Sequence, residues 1–412
     1  MIIILLICTI VCSIFSSSTS ELSLKRLRLK NGSVLISSSF DDSKNLNMIG
    51  LFFKHGSTLK FNKKTGFSAL AQEVLSSRLK KLAKDIGFRY RAYLDWDYLY
   101  YTLYLPSDVS ASDLFRIWSA LYGDTTISDM DFAAYKGELG SLIKYEFDRK
   151  AINSSMIGFL SHHKSIYSIG KYGSVEDVNS IQKDEFNSFL RCYANPNNSI
   201  IVLSSKNYES IFKNSIASFK PCFMDERFSN ESMVNFIVPG RSVAYLKSSK
   251  KNFTIRLGFP SVSCSRKESL VYDLISQLLI EDEVISSLSG QVYIENNCYL
   301  DKGVLEIVLA NVKKDPDEIV TKLIQRLSFL SSSLDQSELI NAKNDLNKMY
   351  SSILNDKESF ISLIGKSYVY FGAYSDFINY KKRLDVLGPT EVRDALKTLN
   401  YENMFNLYLK QE

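Results

Sequence analysis

The stretch Thr65-Gly66-Phe67-Ser68-Ala69-Leu70-Ala71-Gln72-Glu73-Val74-Leu75-Ser76-Ser77-Arg78 decides how the chain is read, and its pattern continues to about Ala83. The apolar residues Phe67, Leu70, Ala71, Val74, Leu75, Leu79 and Leu82 recur at helical spacing, which predicts a helix with one stripe packed inward. Ala69, Gln72 and Glu73 stand at i, i+3 and i+4 on another face, where side chains are neighbours. Two metal ligands with a base between them fit such a face when the residue types suit. An alanine, a glutamine and a glutamate do not suit.

Outward from that helix, the composition is that of a globular protein. Of the 412 residues, 45% are hydrophobic and 23% charged, so sizeable cores can be buried. The net charge of +5 is small for this length, and no basic stripe interleaves with aromatics, so a nucleic-acid partner is not expected. Residues 2–15 form a short apolar run followed by Ser18-Thr19-Ser20. That run fits a cleaved signal peptide over residues 1–20 and an exported, periplasmic protein, although no Lys or Arg precedes it. An uncleaved membrane anchor is the alternative. Four cysteines follow, Cys192, Cys222, Cys264 and Cys298, with no CxxC spacing. They read as buried free thiols; export also allows one or two disulfides, whose pairing the sequence does not fix.

Taken in order, Leu24–Leu29 and Val34–Ser38 read as strands around the turn Lys30-Asn31-Gly32-Ser33, an Asn-Gly hairpin signal. Asn47–Lys54 is a third strand. After the helix, Gly87–Asp95 and Tyr98–Leu105 read as paired strands. Ser110–Tyr122, Asp131–Asn153 and Lys183–Tyr193 read as helices, and Asn198–Leu203 as a buried strand. Residues 220–238 lack periodicity and have a proline near each edge, Pro221 and Pro239, so they are expected to be a linker. Beyond it the order resembles the first half: strands Ser242–Lys247 and Phe253–Phe259, a helix Arg266–Leu279, strands Gln291–Cys298 and Gly303–Leu309, then helices to the end. The expected fold is therefore α+β, two similar domains in tandem over 21–219 and 239–412, each a mostly antiparallel sheet packed with helices on one face.

On these residues the chain resembles the insulinase/pitrilysin family of zinc peptidases, in the short form related to mitochondrial processing peptidase. Lys30-Asn31-Gly32 matches the family's opening hairpin and Lys54-His55-Gly56-Ser57 its small-residue turn. Gly66 opens the helix that carries the inverted H-x-x-E-H motif in that family. Gly87, Ala92, Asp97 and Tyr101 resemble its next two strands, and Tyr167 and Gly173 its loop of tyrosine and glycine. Tyr193-Ala194-Asn195-Pro196-Asn197-Asn198 resembles its Y-x-P-x-N segment, one residue longer.

The departures carry the functional expectation. The resemblance puts Ala69 at the first histidine, Gln72 at the glutamate and Glu73 at the second histidine. Alanine cannot bind a metal, and Gln72 has no carboxylate to activate a zinc-bound water. The third ligand falls at Leu142, with Glu138 and Glu146 within reach of a register shift. His55, His162 and His163 form no HxxEH or HExxH; His55 reads as a surface residue in a turn. In the second half, Tyr293 resembles a substrate-holding tyrosine, and is as readily a strand residue packed on its neighbours; Ser286 stands at the family's arginine.

The resemblance thus implies a non-catalytic subunit without zinc or other cofactor. Such a subunit holds peptide or unfolded polypeptide in a chamber, with a zinc-binding peptidase of the same family as partner. A stand-alone periplasmic peptide-binding or scaffold protein, or a homodimer, is the alternative. An enzyme with unusual ligands centred on Glu73 is the remaining reading.

Overall fold

The computed structural model describes residues 24–38, 47–123, 126–148, 156–160, 167, 170–204, 209–230, 242–247 and 253–410. Two sheets of matching topology organise it. The first holds six strands: β1 (Leu24–Arg28), β2 (Val34–Ser38), β3 (Asn47–Phe53), β5 (Arg89–Leu94), β6 (Leu99–Leu105) and β7 (Ser199–Leu203), in the order β1-β2-β7-β3-β6-β5. The second holds β9 (Ser242–Lys247), β10 (Phe253–Val262), β11 (Gln291–Cys298), β12 (Lys302–Val312) and β13 (Phe405–Lys410), in the order β9-β13-β10-β12-β11. Within each sheet a single parallel pair, β2 with β7 and β13 with β9, stands among antiparallel ones. The five-strand orders superimpose, so the expected duplication is present in the topology itself. A two-stranded ribbon joins β4 (Lys60–Phe61) to β8 (Phe228–Ser229).

The predicted hairpin forms with Leu24 opposite Ser38 and Arg28 opposite Val34, and Gly32 takes φ +87°, which favours glycine. The deciding helix, α1, spans Phe67–Ile86. Gly66 and Gly87 bound it in left-handed conformation, and the Gly87 N–H closes on the Ala83 carbonyl at 3.0 Å. Leu70, Val74, Leu75 and Leu79 are buried against the first sheet, each contributing about 1.5–3 kcal/mol. Beside α1 on this inner face lie α2 (Ala111–Tyr122), α3 (Asp129–Asp148), α5 (Val175–Ser180), α6 (Lys183–Tyr193) and α7 (Glu209–Ile216). The second inner face carries α8 (Ser269–Glu281), the short α9 (Glu283–Ser286), α10 (Pro316–Ser333), α11 (Gln336–Asn355) and α15 (Pro389–Lys397). Two short helices, α13 (Ser375–Ile378) and α14 (Tyr380–Asp385), precede α15 in the chain.

The opposite face of each sheet is covered by a helix from the other half. Helix α12 (Lys357–Phe371), in the second half, lays Phe360, Ile361 and Ile364 on Val34, Phe52 and Ile200 of the first sheet. Helix α4 (Met156–Leu160), in the first half, lays Met156 and Leu160 on Val304, Phe405 and Leu407 of the second. Glycines allow the close approach. A Cβ on Gly365 would lie 1.9 Å from the Phe52 ring, and one on Gly258 would lie 2.1 Å from Met156 Cγ.

Three expectations are corrected. The chain does not end in helices: β13 closes the second sheet between β9 and β10, the place β7 holds in the first. The four cysteines are not free thiols. They form the disulfides Cys192–Cys222 and Cys264–Cys298, because the fold brings pairs separated by 30 and 34 residues together. His55 is not a surface residue but half-buried, its carbonyl accepting from Tyr193 Oη at 2.8 Å. The first part of the expected linker is fastened to the first half through Cys222 and β8. Residues 231–240 lie outside the described residues, as do residues 1–23 and His162 and His163. Among the described residues no helix is long and apolar enough to cross a membrane.

Candidate functional site

The approach to α1 is fixed by its neighbours. The Thr65 N–H and Oγ1 both donate to Asp177 Oδ2, at 2.9 and 2.6 Å. Ser68 Oγ donates to the Gly56 carbonyl at 2.7 Å. Gly173 packs so tightly on the start of α1 that a Cβ there would lie 2.6 Å from the Gly66 nitrogen. The turn at Gly56 in turn meets the β5–β6 turn, with Ser57 N–H on the Asp95 carbonyl and Thr58 N–H on that of Trp96, both at 2.9 Å. The small-residue turn, the tyrosine-glycine loop and the helix start therefore form one assembly.

The three motif positions have separate surroundings. Ala69 is 1% exposed and belongs to the core between α1 and the sheet. Gln72 is half-buried and lines a cavity of about 420 Å³ with Ala92, Tyr93 and Leu94 of β5, and with Trp96, Lys171 and Tyr172. Its backbone carbonyl accepts from Tyr101 Oη at 3.1 Å. Glu73 is also half-buried; burial first, and the charge of Glu138 on α3 second, raise its pKa above the ordinary carboxylate range. The Glu138 charge on α3 is thus felt at Glu73. Leu142 is exposed on α3 one turn further on, and Glu146 follows toward the end of that helix.

This donor set does not fit a zinc ion. Ala69 offers no ligand, Gln72 no base, and two carboxylates without a third donor fall short of the three protein ligands that catalytic zinc takes. Among the described residues no group of three His, Cys, Asp or Glu could hold a metal. His55 stands elsewhere, with Nδ1 3.3 Å from Asn230 Nδ2. Burial, then the Lys54 charge, lower its pKa to about 4.

Strand β5 closes the first sheet at one end, and among the described residues no strand pairs with its outer side, next to the cavity. Strand β11 holds the corresponding edge of the second sheet and presents Tyr293, 57% exposed, whose Oη reaches Gln291 Oε1 at 3.4 Å. Ser286 Oγ, at the end of α9, donates to the Glu283 carbonyl at 3.0 Å. The turns after these two edge strands meet each other. Trp96 packs edge-on against Tyr299 at 5.6 Å, and buried Asp97 accepts from the Leu300 N–H at 2.9 Å and from Tyr167 Oη at 3.0 Å. Burial is the main cause that pushes the Asp97 pKa up to about 7.

Sequence reasoning missed Lys171, Tyr93 and Trp96. Lys171 precedes the Tyr172-Gly173 pair, and proximity to that glycine was the one available signal.

No family model and no curated protein matches the sequence. Solved structures do match the fold. A protease from Helicobacter pylori shares it at a TM-score of 0.82 with 15% identity, over 94% of this chain and 100% of that one. An M16-like peptidase from Alicyclobacillus acidocaldarius follows at 0.78 and 13%, over 96% and 100%. A peptidase M16 inactive domain from Pseudomonas fluorescens stands at 0.77 and 14%, over 95% and 98%. At such identities the likeness is one of fold. It is the α+β fold expected from the insulinase/pitrilysin resemblance, and it extends over nearly the whole chain.

Proposed function

We propose that this chain is a non-catalytic, peptidase-like subunit that holds an extended peptide along β5, beside an active zinc peptidase of the same fold. One observation carries the reading. The framework around α1 is intact down to its turns and open edge strand, while the donor positions hold Ala69, Gln72 and Glu73. An unpaired edge accepts a peptide as an added strand, with backbone hydrogen bonds giving affinity. The two disulfides support an oxidising compartment, consistent with export and, in a bacterial source, with the periplasm.

Affinity purification from the native cells tests the pairing. The expected result is a stoichiometric companion bearing H-x-x-E-H, whose peptide cleavage falls when this chain is removed. A chain that purifies alone, and leaves such an activity unchanged, removes the subunit reading. The reciprocal placement of α4 and α12 favours a second reading, a stand-alone peptide-binding protein or homodimer, because this chain covers both its own sheets. Native mass spectrometry separates the two. Stoichiometric zinc with chelator-sensitive hydrolysis, lost in Glu73→Ala, would overturn both in favour of an enzyme with atypical ligands.

A further inference from the structure

The cavity beside Gln72 is walled by aromatic rings, and an aromatic cage of this kind ordinarily takes a cation. Here the chain supplies its own. Lys171 Nζ lies 4.8 Å from the Tyr93 ring centre and 4.6 Å from that of Trp96, and donates to Tyr93 Oη at 3.1 Å. Tyr172 lines the same space. With the cage filled by an ammonium, a cationic peptide side chain is excluded and an anionic one is attracted.

The neighbouring charges leave Lys171 to set the sign of the cavity. Arg89 and Arg91, further along β5, lie over Tyr104 at 5.6 and 5.8 Å from its ring centre, and Arg91 pairs with Glu358 of α12 at 3.0 Å, so they belong to the face that α12 covers and not to the cavity lining. Of the nearby carboxylates, Asp95 accepts the Trp96 N–H at 2.6 Å, and Glu73 has its pKa raised by burial and by the Glu138 charge. Neither is among the described residues that line the cavity, and among those Lys171 is the one charged group.

We infer that the cleft selects peptides by a carboxylate, which docks on Lys171 while the peptide backbone pairs with β5. The inference rests on the peptide-binding reading above and names its substrate class. The carboxylate comes either from an acidic side chain or from the peptide's C-terminus. Such a charge-assisted contact on a half-buried ammonium gives about tenfold in affinity.

The test uses the full chain and fluorescein-labelled, proline-free peptides of about ten residues, long enough to pair along a strand. One carries a central Glu and an amidated end, one carries Gln there instead, and one is the Gln peptide with a free C-terminal carboxylate. Binding is read by anisotropy and by Trp96 emission, since the other tryptophan, Trp118, is buried in the core. At least one carboxylate peptide is expected to bind about tenfold more tightly than the amidated Gln peptide. The arm that gains identifies the source. The gain disappears in Lys171→Met, survives in Lys171→Arg, and shrinks with added salt. Equal binding of all three peptides to the wild-type chain overturns this inference and leaves the peptide-binding reading standing. Binding of none of them overturns both.

Discussion

The two halves meet the same packing requirement with knob and hole exchanged. In the first, the Phe52 ring of β3 fills the space over Gly365 of α12. In the second, Met156 of α4 fills the space over Gly258 of β10. Topology, parallel pair and crossing helix are shared, but the side chains that fit them together are not. The duplication therefore persists as a relation between elements, which explains why it is plain in strand order and faint in sequence. Chemistry differs more than architecture does. The first half keeps a cleft between α1 and its edge strand, with Lys171 inside; the second presents at its edge the exposed Tyr293.

The largest expected effect tests where the halves join. Asp97 is 3% exposed and its pKa rises from 3.8 to about 7 on folding. Between those values the folded chain holds a proton that the unfolded chain has lost. Stability from this group is therefore full below pH 4, falls as pH rises to about 7, and is constant above. The difference amounts to about 4 kcal/mol. Urea unfolding of Asp97→Asn at pH 4.5 and 7.5 should lack that fall. Asp273 in the second half, raised to about 6 chiefly by burial, has the same sign, and Asp273→Asn should remove a smaller part. His55 acts oppositely, its depressed pKa costing stability as pH falls through about 4, and it cancels in the comparison with wild type. Parallel profiles for wild type and Asp97→Asn would break the assignment.

Next come the disulfides, one anchoring each half. Their loops are nearly equal, so replacing either cysteine pair by serine should cost about 3.5 kcal/mol by the chain-entropy account. A marked inequality in denaturant midpoint would show that one bridge does more than shorten the unfolded chain.

The exchanged knob and hole predict an inequality of their own. Gly365→Ala drives a methyl into the Phe52 ring, itself stacked on Tyr100 at 4.2 Å, and should cost about 3 kcal/mol. Gly258→Ala meets a flexible methionine and should cost about 1 kcal/mol. Equal losses would mean that the two crossings are packed alike. The smallest effect belongs to the degenerate motif. Glu73→Gln should raise the unfolding free energy at pH 8 by under about 0.5 kcal/mol, and the gain should fade as pH falls and the wild-type carboxyl takes up its proton. Destabilisation at pH 8 would reveal a favourable partner that Glu138 is not.

Much of this was legible from the sequence. Asn31-Gly32 gave the first hairpin, apolar spacing gave α1, and β-rich runs gave the strands, because each depends on residues close in the chain. The final strand escaped, although Asn400 opens a turn just as Asn195 does before β7. Its Phe405-Asn406-Leu407-Tyr408-Leu409 pattern becomes a strand by filling the gap between β9 and β10.

By itself, the sequence determined that the motif positions offer one carboxylate, no histidine and no base, because donor chemistry is a property of each side chain wherever it lies. It also determined the duplicated α+β order, because periodicity is local. The crossing of α4 and α12, the cysteine pairing, the buried Asp97 junction and the Lys171 cage were decided only by the tertiary structure. Each joins residues brought together by sheet closure and interlocking of the halves, and no local pattern encodes which distant surfaces will meet.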